Sequence, residues 1–149
     1  KTNIVLAMSV AALFGGVGTA FAQTAPSVSV QVSSPSSVTA GSAVRIATIT
    51  ITGSSASSST STLTQLPLSV GFSNTGMSMN NCRLHNSSGG QISNIFSFMG
   101  SQITNAIFTN PLAVSATTLA LVCDIPSTTP NNSAAAVSIP VGMVMASST

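Results

Sequence analysis

The sequence has no glutamate, no tyrosine and no tryptophan, and its one acidic side chain is Asp124. Lys1, Arg45 and Arg83 complete the charged set, and His85 is the single histidine. These scarcities exclude functions by inventory. General acid–base catalysis usually draws on two ionisable groups of tuned pKa, whereas this chain offers Asp124, His85 and two cysteines. The stretch Gly71-Phe72-Ser73-Asn74-Thr75-Gly76 does not carry the Gly-x-Ser-x-Gly spacing of a nucleophile elbow. No cluster of imidazoles and carboxylates is present to hold a metal. The glycines at 15, 16 and 18 lie inside an apolar run, not after a strand where a phosphate loop would sit. Three scattered cations do not neutralise a row of phosphates. The expectation is therefore no enzyme, no cofactor, no metal and no nucleic-acid partner.

What is present is apolar or hydroxylated. Hydrophobic residues make up 44% of the 149 positions against 3% charged, and mean hydropathy is +0.54. Disordered chains combine low hydrophobicity with high charge, the reverse of this balance. With a formal charge of only +2, solubility falls to hydroxyls, amides or attached sugar, or the surface is buried against neighbouring subunits. Sugar and subunit burial both point outside the cell. Cys82 and Cys123 form an even count suited to one disulfide, and closing so long a loop would contribute roughly 3 to 4 kcal/mol. Pairing implies an oxidising compartment; the alternative is two buried free thiols.

The N-terminal segment has two readings. Lys1 precedes an apolar run from Ile4 to Phe21, and as a helix residues 1–22 would extend about 33 Å. Ile4, Val5, Leu6, Met8, Val10, Leu13, Phe14 and Val17 make it apolar all round, so it must be buried in lipid or protein. Gly15, Gly16 and Gly18 weaken its second half and allow neighbouring helices to approach closely. Alternatively, Ala20-Phe21-Ala22 before Gln23 has the small-x-small form of a signal-peptidase site, which places cleavage at Ala22–Gln23.

From Gln23 to Thr149 one β domain is expected, because short alternating runs are separated by Gly, Pro, Ser and Asn clusters. Val28, Val30 and Val32 alternate with polar residues. Over Ala43–Thr52 the apolar parity shifts from Val44/Ile46 to Ile49/Ile51, as a bulge or a switch between sheets requires. Gly53–Ser61 reads as a Ser-rich loop. Thr62–Phe72 is a strand that Pro67 assigns to an edge or a bulge, since proline cannot donate to the ladder. Cys82–His85 is a short strand ending at a Gly89-Gly90 turn. Gln91–Met99 and Ile103–Thr109 are read as strands, although periodicity alone does not separate them from helices. Leu119, Leu121, Cys123 and Ile125 share one face, and Val137, Ile139, Val141, Met143 and Met145 repeat the alternation. Asn86-Ser87-Ser88 and Asn131-Asn132-Ser133 are N-glycan sequons in expected loops, and the Ser/Thr runs offer O-glycan sites.

An N-terminal apolar helix at Lys1–Ala22 followed by a β-rich head resembles type IV pilin-like proteins. The chain departs from the bacterial pattern, having no Glu near the start of the helix. It is closer to archaeal-type pilins, which are poor in charge, rich in Ser/Thr and carry an immunoglobulin-like head. The phrases Asn81-Cys82-Arg83-Leu84, Phe108 to Val114 and Leu119 to Ile125 are also similar to modules of bacterial and archaeal surface proteins. These resemblances imply a mainly β fold: an immunoglobulin-like sandwich of about seven strands with an N-terminal apolar helix. They further imply an extracellular or cell-surface filament subunit that polymerises with itself, through the helix or by exchange of a strand such as Val28–Val32, and that is held by the membrane before assembly. The competing expectation is a secreted monomeric adhesin or binding module from which residues 1–22 are removed. A third is an envelope protein anchored by that helix.

Overall fold

The computed structural model describes residues 27–34, 37–54, 61–129, 133–140, 144 and 147–148. The apolar helix expected over residues 1–22 and the Ala22–Gln23 cleavage site lie outside the described residues, as do Asn131 and most of the Ser-rich loop after Gly53. Among the described residues there is no helix. The strands are β1 (Ser27–Ser33), β2 (Gly41–Ser54), β3 (Ser61–Phe72), β4 (Ser78–His85), β5 (Phe96–Met99), β6 (Gln102–Ala113), β7 (Thr117–Ile125), β8 (Ala135–Ser138) and β9 (Ser147–Ser148).

They form two antiparallel sheets. One runs β1-β2-β7-β4-β5; the other runs β6-β3-β8, with β9 also pairing β3. The pairings β2 with β7, β3 with β6 and β4 with β5 are nested about the β4–β5 connection. A long antiparallel ribbon folded over in this way is a jelly roll. The two-layer sandwich is what the alternation predicts, but its strand order is not the immunoglobulin arrangement of A, B, E and D facing C, F and G. The outermost member of the nest is displaced: β1 lies on β2 along seven residue pairs, from Ser27 opposite Ser54 to Ser33 opposite Thr48.

The core lies between the sheets, where period-two alternation turns one side of each strand inward. Leu119, Leu121, Cys123 and Ile125 of β7 meet Leu63, Leu66, Leu68 and Val70 of β3 in one buried cluster with Phe98, Met79 and Leu84. Full burial of each such side chain contributes roughly 1.5–3 kcal/mol. Phe96 and Phe98 meet edge-to-face with ring centroids 5.6 Å apart. The parity shift in β2 is a bulge. The register changes between Arg45 and Ala47, and the inserted Ile46 joins Ala47 in the core, both essentially unexposed.

Two expectations about strands are corrected. Pro67 is expected to mark an edge or a bulge, but β3 is the middle of its sheet and its register shift against β6 lies earlier, between Leu63 and Gln65. The pairs described on its β8 and β9 side cover 69–72 and 61–62 and leave Pro67 outside that ladder, so the missing N–H is tolerated there. Of the two ambiguous runs, Ile103–Thr109 is the centre of β6, whereas Gln91–Met99 is a strand only from Phe96. Its first half joins the two sheets along one side of the sandwich: Ile92 N donates to Leu84 O and Thr109 N to Ile92 O, both at 2.9 Å. Side chains replace missing strand partners in that ribbon. Ser93 Oγ accepts from Leu84 N at 2.8 Å, and Asn94 Oδ1 accepts from Ile107 N at 2.8 Å. Ser and Asn are residues that bond to backbone locally and so compete with regular ladders.

Candidate functional site

The five-stranded sheet gathers most of the chain's unusual chemistry on β7 and its two neighbours. Cys123 on β7 is bonded to Cys82 on β4, closing a loop of 41 residues with Cα atoms 4.0 Å apart. Both cysteines are fully buried in the core cluster, so the expected disulfide forms and links neighbouring strands of one sheet. Beside it, the register of β4 against β7 shifts between Asn80 and Arg83, leaving Asn81 and Cys82 opposite Cys123. The register of β2 against β7 shifts between Gly41 and Val44, leaving Ser42 and Ala43 opposite Asp124.

Each of these bulges contains a residue in the left-handed region, Ala43 at φ 54° and Asn81 at φ 49°; they are the two non-glycine residues so described. Asp124 serves both. Its Oδ1 accepts from Ala43 N and its Oδ2 from Asn81 Nδ2, each at 2.8 Å. The Ala43 amide holds the carboxyl below the usual carboxylate range and the Asn81 amide acts the same way; desolvation opposes them less strongly than either, and the Arg83 charge adds the smallest lowering. The one acid of the chain is thus a structural clamp across three strands. So rare a charge must be solvated or paired; its main partners are the Ala43 and Asn81 amides, with Arg83 assisting through charge.

On the outer face of the same strands, Arg45 and Arg83 both stand opposite Val122, and one step along, Thr48 and His85 both stand opposite Ala120. Arg83 Nε donates to His85 Nε2 at 3.2 Å and Nη1 to Asn81 O at 3.1 Å. An Nε2 that accepts places the ring proton on Nδ1. Arg45 is exposed. Next to this row, the Asn86 side chain is folded into its own turn: Oδ1 accepts from Ser88 N at 3.1 Å and Gly90 N at 2.8 Å. Gly89 supplies the positive φ (83°) that the turn requires.

Among the described residues no group of three His, Cys, Asp or Glu is placed to hold a metal. Of the residues singled out in the sequence, Cys82, Cys123, Asn86 and Asp124 come together on β4, β7 and the following turn; Asn131 is not described. The approach of Arg45 to Arg83 and His85 was not legible, because Arg45 is 38 positions before Arg83 and only the strand order β2-β7-β4 brings it near them. Compared with known proteins, the chain matches no family model, no curated protein and no solved structure.

Proposed function

We propose that the chain is the structural subunit of an extracellular, pilus-like filament, assembling with copies of itself through its N-terminal apolar segment or by strand exchange. The observation that carries this reading is a surface almost without charge. Apart from Asp124 and the Arg45/Arg83 pair, the described residues carry no charged side chain. Ile95, Met99, Ile103 and Ile107 are 52–75% exposed on that surface. Such a surface is poorly protected as a solitary monomer and suited to burial between subunits. The edge position of β1 supports exchange. Its half-buried Val28, Val30 and Val32 pack on the core, and an edge strand presents unpaired backbone groups to another chain.

In this reading the protein is non-catalytic and exported. Asp124 is committed to holding two bulges, which leaves His85 without a free acid to work with. Asn86, on an outward turn, and Asn131 are the proposed N-glycan acceptors, and before assembly residues 1–22 hold the subunit in the membrane. The second reading, a secreted monomeric binding module starting at Gln23, is favoured by the polar, basic row beside His85.

Negative-stain microscopy of the cell-surface fraction, combined with N-terminal sequencing and intact mass, tests both readings. Filaments whose subunits retain residues 1–22 are expected. Filaments of subunits beginning at Gln23 would leave only strand exchange, and monodisperse monomers beginning at Gln23 would overturn the filament reading.

A further inference from the structure

We infer that the outer face of β7 is a binding groove for a compact oxyanion, a carboxylate or a phosphate carried on a small hydroxylated molecule. The inference is independent of whether the chain polymerises.

The first support is concentration of charge. The whole sequence has three Lys and Arg residues and one histidine, and two of those cations and the histidine occupy two successive cross-strand rows. These rows are Arg45–Val122–Arg83 and Thr48–Ala120–His85. Strands two apart in a sheet are separated by about 9.5 Å, so Arg45 and His85 stand as opposite walls over β7. A scatter of solubilising charges would not be confined to one face of three adjacent strands.

The second support is the absence of compensation. The one acid has both oxygens engaged by Ala43 and Asn81. Arg83 is oriented by His85 and Asn81 O, while Arg45 has no hydrogen-bond or ion-pair partner among the described residues. A guanidinium presents five donors in a planar fork suited to carboxylate and phosphate oxygens.

The third support is shape. A depression of about 360 Å³ lies between Arg45 and His85, floored by Ala120 and Thr118 and closed at one end by Asn86, Ser87 and Gly89. Small side chains on β7 make the floor. The wall at the end is preformed, because the Asn86 side chain accepts from Ser88 N and Gly90 N and fixes the turn. The lining offers hydroxyls, an amide, an imidazole and a guanidinium, and no Phe, Tyr or Trp. That chemistry recognises an oxyanion with neighbouring hydroxyls.

The test uses the full chain in the form in which it is isolated, with methods that read the ligand and so tolerate large assemblies. Saturation-transfer NMR is run with glucuronate and with glucose as the uncharged control, and ³¹P line broadening with inorganic phosphate. Saturable binding of glucuronate, phosphate or both is expected, with glucose at least tenfold weaker. Which oxyanion binds identifies the source of the charge. Arg45→Gln should weaken binding at least tenfold, since Arg45 makes no contact the fold depends on. Ala120→Leu, which fills the floor and leaves every charge in place, should do the same, with far-UV circular dichroism confirming that both variants fold. The inference is overturned by equal binding of glucose and glucuronate, by no saturable binding of either anion, or by anion binding that both folded variants retain unchanged.

Discussion

Replacing both Cys82 and Cys123 by alanine tests the reasoning about what stabilises this sandwich. The bond closes a loop 41 residues long, and the chain-entropy relation assigns it about 4 kcal/mol. That loop contains β5, β6 and the ribbon that joins the two sheets, so the unbridged denatured chain gains freedom over a large part of the domain. At roughly 2.1 cal/mol/K of unfolding entropy per residue, a head of about 120 residues would lose about 16 °C in melting temperature. The truncated sulfurs also leave a small void in the core, because both cysteines are fully buried; this deepens the loss. The sequence has no tryptophan or tyrosine, so urea unfolding is best followed by far-UV circular dichroism. A chain released from its cross-link exposes more surface when denatured, and the m-value should therefore rise in the variant. A loss below about 1 kcal/mol with an unchanged m-value would refute the loop-closure argument and would mean that the β4–β7 ladder already restrains these strands without the bond.

Four further outcomes follow from the geometry. Asp124 has a folded pKa below its unfolded value, so its contribution is present above the unfolded pKa near 3.8 and is lost as pH falls through the lower folded value. Asp124→Asn should accordingly be less stable than wild type at neutral pH, and urea midpoints of the two should converge in acid. Ala43→Gly removes a side chain from a left-handed position and should stabilise by roughly 0.5–1 kcal/mol, read from the same urea curves. At Gly53, a Cβ would collide with Val114 Cγ1, so Gly53→Ala should cost roughly 1–3 kcal/mol by overpacking, measured as a lowered thermal midpoint. Ser93→Ala leaves the Leu84 N–H without its partner; a loss of roughly 1–3 kcal/mol is expected, with faster hydrogen exchange at Leu84.

Much of the β framework is legible in the residues because burial imposes a period of two. The Val28/Val30/Val32 row, the Leu119-to-Ile125 face and the parity shift in β2 all appear where alternation places them. The expected pairing of the cysteines is also met, although no spacing indicates that they lie on adjacent strands of one sheet. Pro67 misleads because its cost depends on which neighbour its missing N–H would face: it pairs with Asn105 of β6, while the pairs described on the β8 and β9 side leave it out. Gln91–Asn94 misleads because Ser93 and Asn94 supply the hydrogen bonds that a strand partner would.

By itself the sequence determined the class of the protein: mainly β and nearly chargeless, with an even pair of cysteines and few ionisable groups. These are properties of composition and of local period, and they hold whichever strands pair. Only the tertiary structure decided the nested strand order, the role of Asp124 as a clamp on two bulges and the assembly of Arg45, Arg83 and His85 on one face. Asp124 bonds residues 81 and 43 positions away, and Arg45 approaches Arg83 only across β7; such neighbours are set by how the sheets close over their core.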